Sequence, residues 1–292
     1  MKDFLRELRR WMNRPVVDEI EKTNLMIARK ELSRTAGGAA ESINDAELQI
    51  FSQHGEDGII QYLISRVEIK ERYFVEFGVD SYRESNTRFL LMNNNWRGLI
   101  MDGGKSHIKY IERESYLGVN YDIKAVSAVI TPDNIESLLK EAGVPEEPGI
   151  ISVDIDFNDY FVIKAIKSFK PAIFIAEYNK IFGCSEKISV PFLKGLSRYV
   201  SGAYFGASLP AINMCMEEKG YVLSGSDSKG VNAFFVREDL AGNIKKKTVK
   251  EVFEGLVFDS GRAWEELKKT GEKPVLEVET GKEKKISEIF GF

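Results

Sequence analysis

Apolar runs and their spacing divide the chain into strands and helices. Residues 73–77 are aromatic and β-branched, as a short buried strand is. One acid, Glu76, stands near the end of this run, and Gly78 and Asp80 follow it. After Ser85 the pattern turns helical, with Thr87, Leu90 and Leu91 on one face. Residues 99–101 form a second apolar strand that ends in Asp102-Gly103-Gly104. A weaker strand is expected at 117–119 or at 125–130, and a helix over 132–142. Residues 149–156 hold the clearest strand of the chain, with a helix over 160–169 behind it. Residues 172–178 are another buried strand, carrying Glu177. A helix over 207–219 precedes two late strands, 221–225 and 232–236, joined by a polar turn at 227–230. Strands alternate with helices and several are apolar on both faces, which predicts an α/β fold with a parallel sheet covered on both sides.

The core begins near residue 51. Ser52 is the expected N-cap of a helix in which Glu56 and Asp57 occupy the first turn, and Ile59, Ile60, Leu63 and Ile64 form its buried face. Residues 1–48 read as a helical extension. Phe4, Leu5, Leu8 and Trp11 share one helical face, Pro15 interrupts it, and a second helix over 17–32 ends at Gly37-Gly38. Its basic face suits a membrane surface or a partner, but Glu7, Glu19 and Glu21 dilute it. A helix packed on its own core or on a second copy is favoured, which leaves a homodimer through the N-terminal helices open. The main domain spans 49–240, and 241–292 form a charged C-terminal extension in which 275–281 begin a small hairpin.

Composition narrows the function classes. The 292 residues carry 43% hydrophobic and 29% charged side chains, enough for a sizeable core. A net charge of -4 argues against a general nucleic-acid binder. No apolar run is long enough to cross a bilayer, and no signal-peptide core is present. Cys184 and Cys215 form no metal or disulfide spacing, which together with the missing leader predicts a cytoplasmic protein.

The candidate chemistry is a row of acids. Ligands of open parallel sheets bind at the carboxyl ends of the strands. Glu76, Asp80, Asp102, Asp154, Asp156 and Glu177 all fall there. Carboxylates held close together repel, so they call for a cation, a polar ligand or shared protons. Capping of the following helices is the alternative, and it suits Asp159 best. Asp154 and Asp156 bracket Ile155. The pair could hold Mg²⁺, or one carboxylate could act as a general base on a substrate hydroxyl, with Asn158 and Tyr160 orienting the substrate. His107 follows the Asp102 turn and could border a ligand there.

Several blocks also resemble a known family. They are Ser52-Gln53-x-Gly55-Glu56-Asp57, Val75-Glu76-Phe77-Gly78-Val79-Asp80, Asn86-Thr87, Trp96-Arg97-Gly98-Leu99-Ile100-x-Asp102-Gly103, Ile151-Ser152-Val153-Asp154-Ile155-Asp156-x-Asn158-Asp159-Tyr160, Ala176-Glu177-Tyr178-Asn179, residues 204–209 and residues 230–236. Together they are similar to FkbM-like S-adenosylmethionine (SAM)-dependent methyltransferases, in a mostly uncharacterised bacterial branch. The resemblance implies a Rossmann-like, mostly parallel seven-stranded sheet with a C-terminal antiparallel hairpin strand. It implies SAM as cofactor, bound by Glu76, Gly78, Asp80, Asp102, Gly103 and Asp154, with Glu76 and Gly78 at the methionine end and Asp102 on the ribose. It implies an O-methyltransferase acting on a sugar or glycan precursor, with Asp154, Asp156 and Asn158 in the catalytic set. Asp154, Asp156 and Glu177 are the candidate Mg²⁺ ligands. Ser81 and Phe157 stand where relatives carry glycine, and Phe157 is expected to narrow or reshape the pocket. The alternative is a catalytically inactive protein of this fold that binds a ligand or a partner.

Overall fold

The computed structural model describes residues 16, 19–32, 40–113, 117–193 and 202–292. The chain forms two compact units, residues 1–41 and 42–292. In the first unit residues 19–32 are helical, with Ile20, Met26 and Ile27 exposed and Ala28 buried. The predicted helix over 1–11 and the glycine stop at 37–38 lie outside the described residues. No helix among the described residues is long and apolar enough to cross a membrane.

The second unit is built on a seven-stranded sheet. Its strands are β1 (Glu71–Phe77), β2 (Arg97–Asp102), β3 (Ile123–Ser127), β4 (Pro148–Val153), β5 (Ile173–Glu177), β7 (Tyr221–Ser226) and β8 (Asn232–Arg237). They lie in the order β3-β2-β1-β4-β5-β8-β7. β1 to β5 are mutually parallel, and β8 runs antiparallel to both β5 and β7. This is a Rossmann-like methyltransferase fold, with the late hairpin inserting its second strand beside β5. Of the two weak candidates for the third strand, the later one forms, shifted to begin at Ile123. Residues 117–120 instead make one helical turn, because the neighbour of Gly98 in the sheet is Ile123.

Alternation along each strand sends side chains to two apolar layers. Val75, Phe77, Leu99, Met101, Val153 and Phe235 face one side, where Leu139, Ile163 and Ile212 cover them. Phe74, Ile100, Ile150, Ile175 and Phe234 face the other, under Ile60, Leu63 and Leu91. The same alternation, continued to the strand ends, puts Glu76, Asp102, Asp154, Glu177 and Asn232 on the second face. Glu177 and Asn232 are paired across β5 and β8.

The first helix of this unit, α1 (Glu56–Ile64), buries Ile59, Ile60 and Leu63 as its spacing predicts. Its N-cap is Gly55 rather than Ser52, with φ at +99°. Ser52 is instead drawn to Asp57, whose Oδ2 accepts the backbone N–H groups of Ile50, Phe51 and Ser52 at 2.8, 2.7 and 2.8 Å.

A second, three-stranded sheet was not expected in full. It joins β6 (Ile188–Ser189) to the hairpin β9 (Pro274–Glu277) and β10 (Lys282–Lys285), all antiparallel. A third apolar cluster lies against it, and Phe157 is one of its members, beside Phe182, Tyr204, Val275 and Ile286. The Phe157 and Tyr204 rings meet edge to face at 6.1 Å. Phe157, from the loop after β4, is thus buried as an apolar anchor of the small sheet.

Candidate active site

The last residues of β1, β2 and β5 and the loops after β1, β2 and β4 carry the predicted site residues. Gly78 has φ at +73°, and a Cβ built on it would lie 1.6 Å from the Asp154 carbonyl oxygen. The chain after β1 and the chain after β4 therefore touch backbone to backbone, which only glycine permits. Beyond it the left-handed positions are Asp80, φ +46°, and Tyr82, φ +57°. Ser81, for all that glycine is expected there, needs no left-handed backbone.

Glu76 is almost fully buried and its carboxylate is enclosed by its own loop. Oε2 accepts from the Ser85 hydroxyl at 2.5 Å, from the Thr87 N–H at 3.0 Å and from the Thr87 hydroxyl, while Oε1 accepts from the Asn86 N–H at 2.8 Å. Tyr82 lies behind, its hydroxyl 2.9 Å from Thr87 Oγ1. Burial raises the Glu76 pKa, and the Ser85 and Thr87 bonds oppose that rise. The arrangement fixes the entry of helix α2 (Arg88–Asn94), where a carboxylate suits the exposed N–H groups. Replacing Thr87 with valine keeps the shape and removes the hydroxyl. It is expected to cost about 1–3 kcal/mol, the range for an unpaired buried polar group, read from urea denaturation.

Asp102, at the end of β2, is mostly buried. Its Oδ2 accepts the Asp80 N–H at 2.9 Å, and its Oδ1 accepts the Gly104 N–H at 2.6 Å. His107, on helix α3 (Lys105–Arg113), links the two acids of this rim. Its Nδ1 lies 3.1 Å from Asp102 Oδ1 and its Nε2 2.9 Å from Asp80 Oδ1. A Cβ on Gly103 would make only ordinary contact, 3.7 Å from Val129, whereas a Cβ on Gly104 would meet His107 Nδ1 at 2.7 Å. Of the two glycines, Gly104 is the one the geometry requires.

The third group follows β4 and β5. Asp154, Asp156 and Glu177 bring one carboxylate oxygen each within 4.8 Å of one another. Asp156 has φ at +70°, a conformation aspartate tolerates better than most residues. Asp159 opens helix α4 (Asp159–Ala165) and is fully buried. Its Oδ1 accepts the Ile155 N–H at 2.7 Å, bracing the loop between Asp154 and Asp156. Burial raises the Glu177 pKa well above the ordinary carboxylate range, and Asp154, Asp159 and Asp156 add repulsion. Burial does the same for Asp159, with Asp154 the main charged neighbour. Asn158 turns from this cluster toward a neighbouring loop. Its Nδ2 donates to the Leu193 carbonyl at 3.1 Å, and its Oδ1 accepts the Leu193 N–H at 3.3 Å.

The structure thus brings Asp154, Asp156 and Glu177 together, and Asp80 with Asp102 in a neighbouring group. Glu76 is engaged by Ser85, Asn86 and Thr87. Sequence reasoning did not single out Ser85, the bridging place of His107 or the buried character of Asp159. Sequence spacing gives no signal for the first two, because the contacts span loops. Asp159 had a signal, an acid three residues after Asp156, but a cap accounts for that spacing equally well.

By sequence, no family model and no curated protein matches the chain. The solved structures that the chain matches include methyltransferases. The N-terminal domain of EvdMO1, crystallised in the presence of SAH and D-fucose, is 11% identical over 71% of this chain and 94% of its own, at a TM-score of 0.41. The ribosomal protein L11 methylase of Lactobacillus delbrueckii subsp. bulgaricus is 14% identical over 63% and 80%, at 0.35. A SAM-dependent methyltransferase of Aquifex aeolicus is 9% identical over 61% and 88%, at 0.34. The strand order, rather than these distant similarities, defines the fold.

Proposed function

We propose that the chain is a SAM-dependent O-methyltransferase of the FkbM-like kind, acting on a hydroxyl of a sugar or glycan precursor. The observation that carries this reading is the shared sheet face of Asp102 and Asp154. It supports a ribose-binding role for Asp102 and a proton-accepting role for Asp154, on one side of the β1 loop.

The residues present fit the cofactor. A carboxylate offers about four lone-pair positions. Asp80, Gly104 and His107 take three of them at Asp102, which leaves one for a ribose hydroxyl, and a second if His107 turns aside. Asp80 and Gly103 flank that position, and Gly78 keeps the floor of the loop low. The residues fit a divalent cation as well, since three oxygens within 4.8 Å match the donor chemistry of Mg²⁺. Asp154, Asp156 and Glu177 would hold it. A cation there would act as a Lewis acid that lowers the pKa of the acceptor hydroxyl.

The chain's own residues have three tasks in an in-line displacement. Asp102 fixes the ribose and so the direction of the sulfonium methyl. Asp154 or Asp156 takes the proton from the acceptor oxygen as it attacks. Asn158 holds the loop at Leu193 and thereby the border of the acceptor's place. Alignment of the two reacting atoms is where such a protein gains most of its rate.

Binding of S-adenosylhomocysteine (SAH), followed by isothermal titration, tests the cofactor reading. Asp102→Ala is expected to weaken it by about 1.5–3 kcal/mol, the value of one hydrogen bond to a charged group. An unchanged affinity removes Asp102 from the cofactor site. A catalytically inactive, ligand-binding protein is the second reading, favoured by the complete engagement of Glu76 in its own loop. SAH binding without turnover on any sugar supports it. The outward Ile20, Met26 and Ile27 support a homodimer through the N-terminal helix, and the free Cys184 and Cys215 support a cytoplasmic location.

A further inference from the structure

The cap role of Asp159 accounts for only one of its oxygens. Oδ1 is satisfied by the Ile155 N–H, but Oδ2 is buried with no hydrogen-bond partner. A buried carboxylate oxygen without a partner is costly, and such atoms are rare in folded proteins. Here the cost is compounded, because among the described residues the carboxylates of Asp154, Asp156 and Glu177 are its charged neighbours. Packing alone does not require an acid at this place, since an asparagine would fill the same volume without a buried charge.

Oδ2 borders the place of the side chain that Gly206 lacks. Gly206 approaches from the loop before helix α5 (Leu209–Glu218), with φ at +55°. Among the described residues, Oδ2 is the one heavy atom within 4 Å of the place its Cβ would take, at 4.0 Å. Asp159 lies outside the trio whose oxygens come within 4.8 Å of one another. It is nevertheless a charged neighbour of all three.

We infer that Asp159 is the outer carboxylate of a divalent-cation site formed by Asp154, Asp156 and Glu177, with Oδ1 fixing the ligand loop through Ile155 and Oδ2 accepting from a cation-bound water beside Gly206. The inference rests on the cation reading above and adds a residue to it. Outer-layer partners of this kind orient the direct ligands, and their loss weakens metal affinity by roughly 10–100-fold. A charge removed from four crowded acids should also relieve repulsion in the metal-free protein. Asp159 thus predicts two changes of opposite sign, which a purely structural cap does not.

Mn²⁺ is the probe, titrated calorimetrically into the full-length protein after treatment with EDTA. The wild type is expected to bind one Mn²⁺ per chain, and Asp156→Asn to lose most of that affinity. Asp159→Asn is expected to bind Mn²⁺ about 10–100-fold more weakly while its metal-free melting temperature stays level or rises. Asp159→Ser, whose hydroxyl can still accept from Ile155, is expected to show the same loss of affinity. If the wild type binds no Mn²⁺ at millimolar concentration, the cation reading fails and this inference with it. If the wild type binds but both Asp159 variants bind equally well, the outer-carboxylate role alone is overturned. That role is overturned too if the variants melt lower without metal and keep wild-type Mn²⁺ affinity.

Discussion

Gly78→Ala is expected to be among the most destabilising single changes in the chain. Two costs add. A left-handed backbone costs a non-glycine residue about 1–2 kcal/mol. The new methyl would also begin 1.6 Å from the Asp154 carbonyl oxygen, so the loops after β1 and β4 must part. Overpacking of that kind costs about 1–3 kcal/mol or more. Gly143→Ala separates the two contributions. Gly143 has φ at +78° but nothing within 4 Å of its missing Cβ, so it bears the backbone cost alone. In urea denaturation Gly78→Ala should lose about 2–5 kcal/mol in all, and clearly more than Gly143→Ala. Equal losses would mean that the two loops move apart freely.

Asp154→Asn is expected to abolish methyl transfer without unfolding the protein. Removal of a general base costs about 10²–10⁴-fold in rate. The amide keeps the volume of the carboxylate and lifts one charge from the cluster of Asp156, Asp159 and Glu177, so the melting temperature should not fall. Release of SAH in the presence of a panel of hexoses and nucleotide sugars is the measurement, with SAH affinity measured in parallel. A variant as active as the wild type would overturn the role of Asp154. A variant that loses SAH binding as completely as turnover would assign Asp154 to the cofactor rather than to the proton.

Much of the fold could be read from the residues because the strands of a parallel sheet are apolar on both faces. β1, β4 and β5 stand out as runs of such residues, and the acid at or just past each end is visible beside them. β3 was placed only as an alternative, since Ile123, Lys124 and Ala125 alternate weakly at the sheet edge. β6 is two residues long and has no signature of its own; it exists because β9 pairs with it. Phe157 was read as a pocket residue from its place in the motif. Its burial beside Tyr204 and Val275 depends on a hairpin more than a hundred residues away, which no local pattern reports. The row of acids was legible for the same reason as the strands. What was not legible is how each is employed: Glu76 by Ser85 and Thr87, Asp102 by His107, and Asp159 by Ile155. Those bonds join loops, and loops are fixed only after the sheet has closed.

The parity shared by Glu76, Asp102 and Glu177 has a bearing on how the chain avoids misassembly. A slip of one residue in β1, β2 or β5 would turn that strand's acid to the opposite face, among Val75, Leu99 and Phe174 and away from partners such as Ser85, Thr87 and His107, where a carboxylate without hydrogen bonds is prohibitively unfavourable. The charged ends thus act as pegs that forbid every neighbouring alignment, and the acids of the candidate site also serve as the proofreading of the sheet.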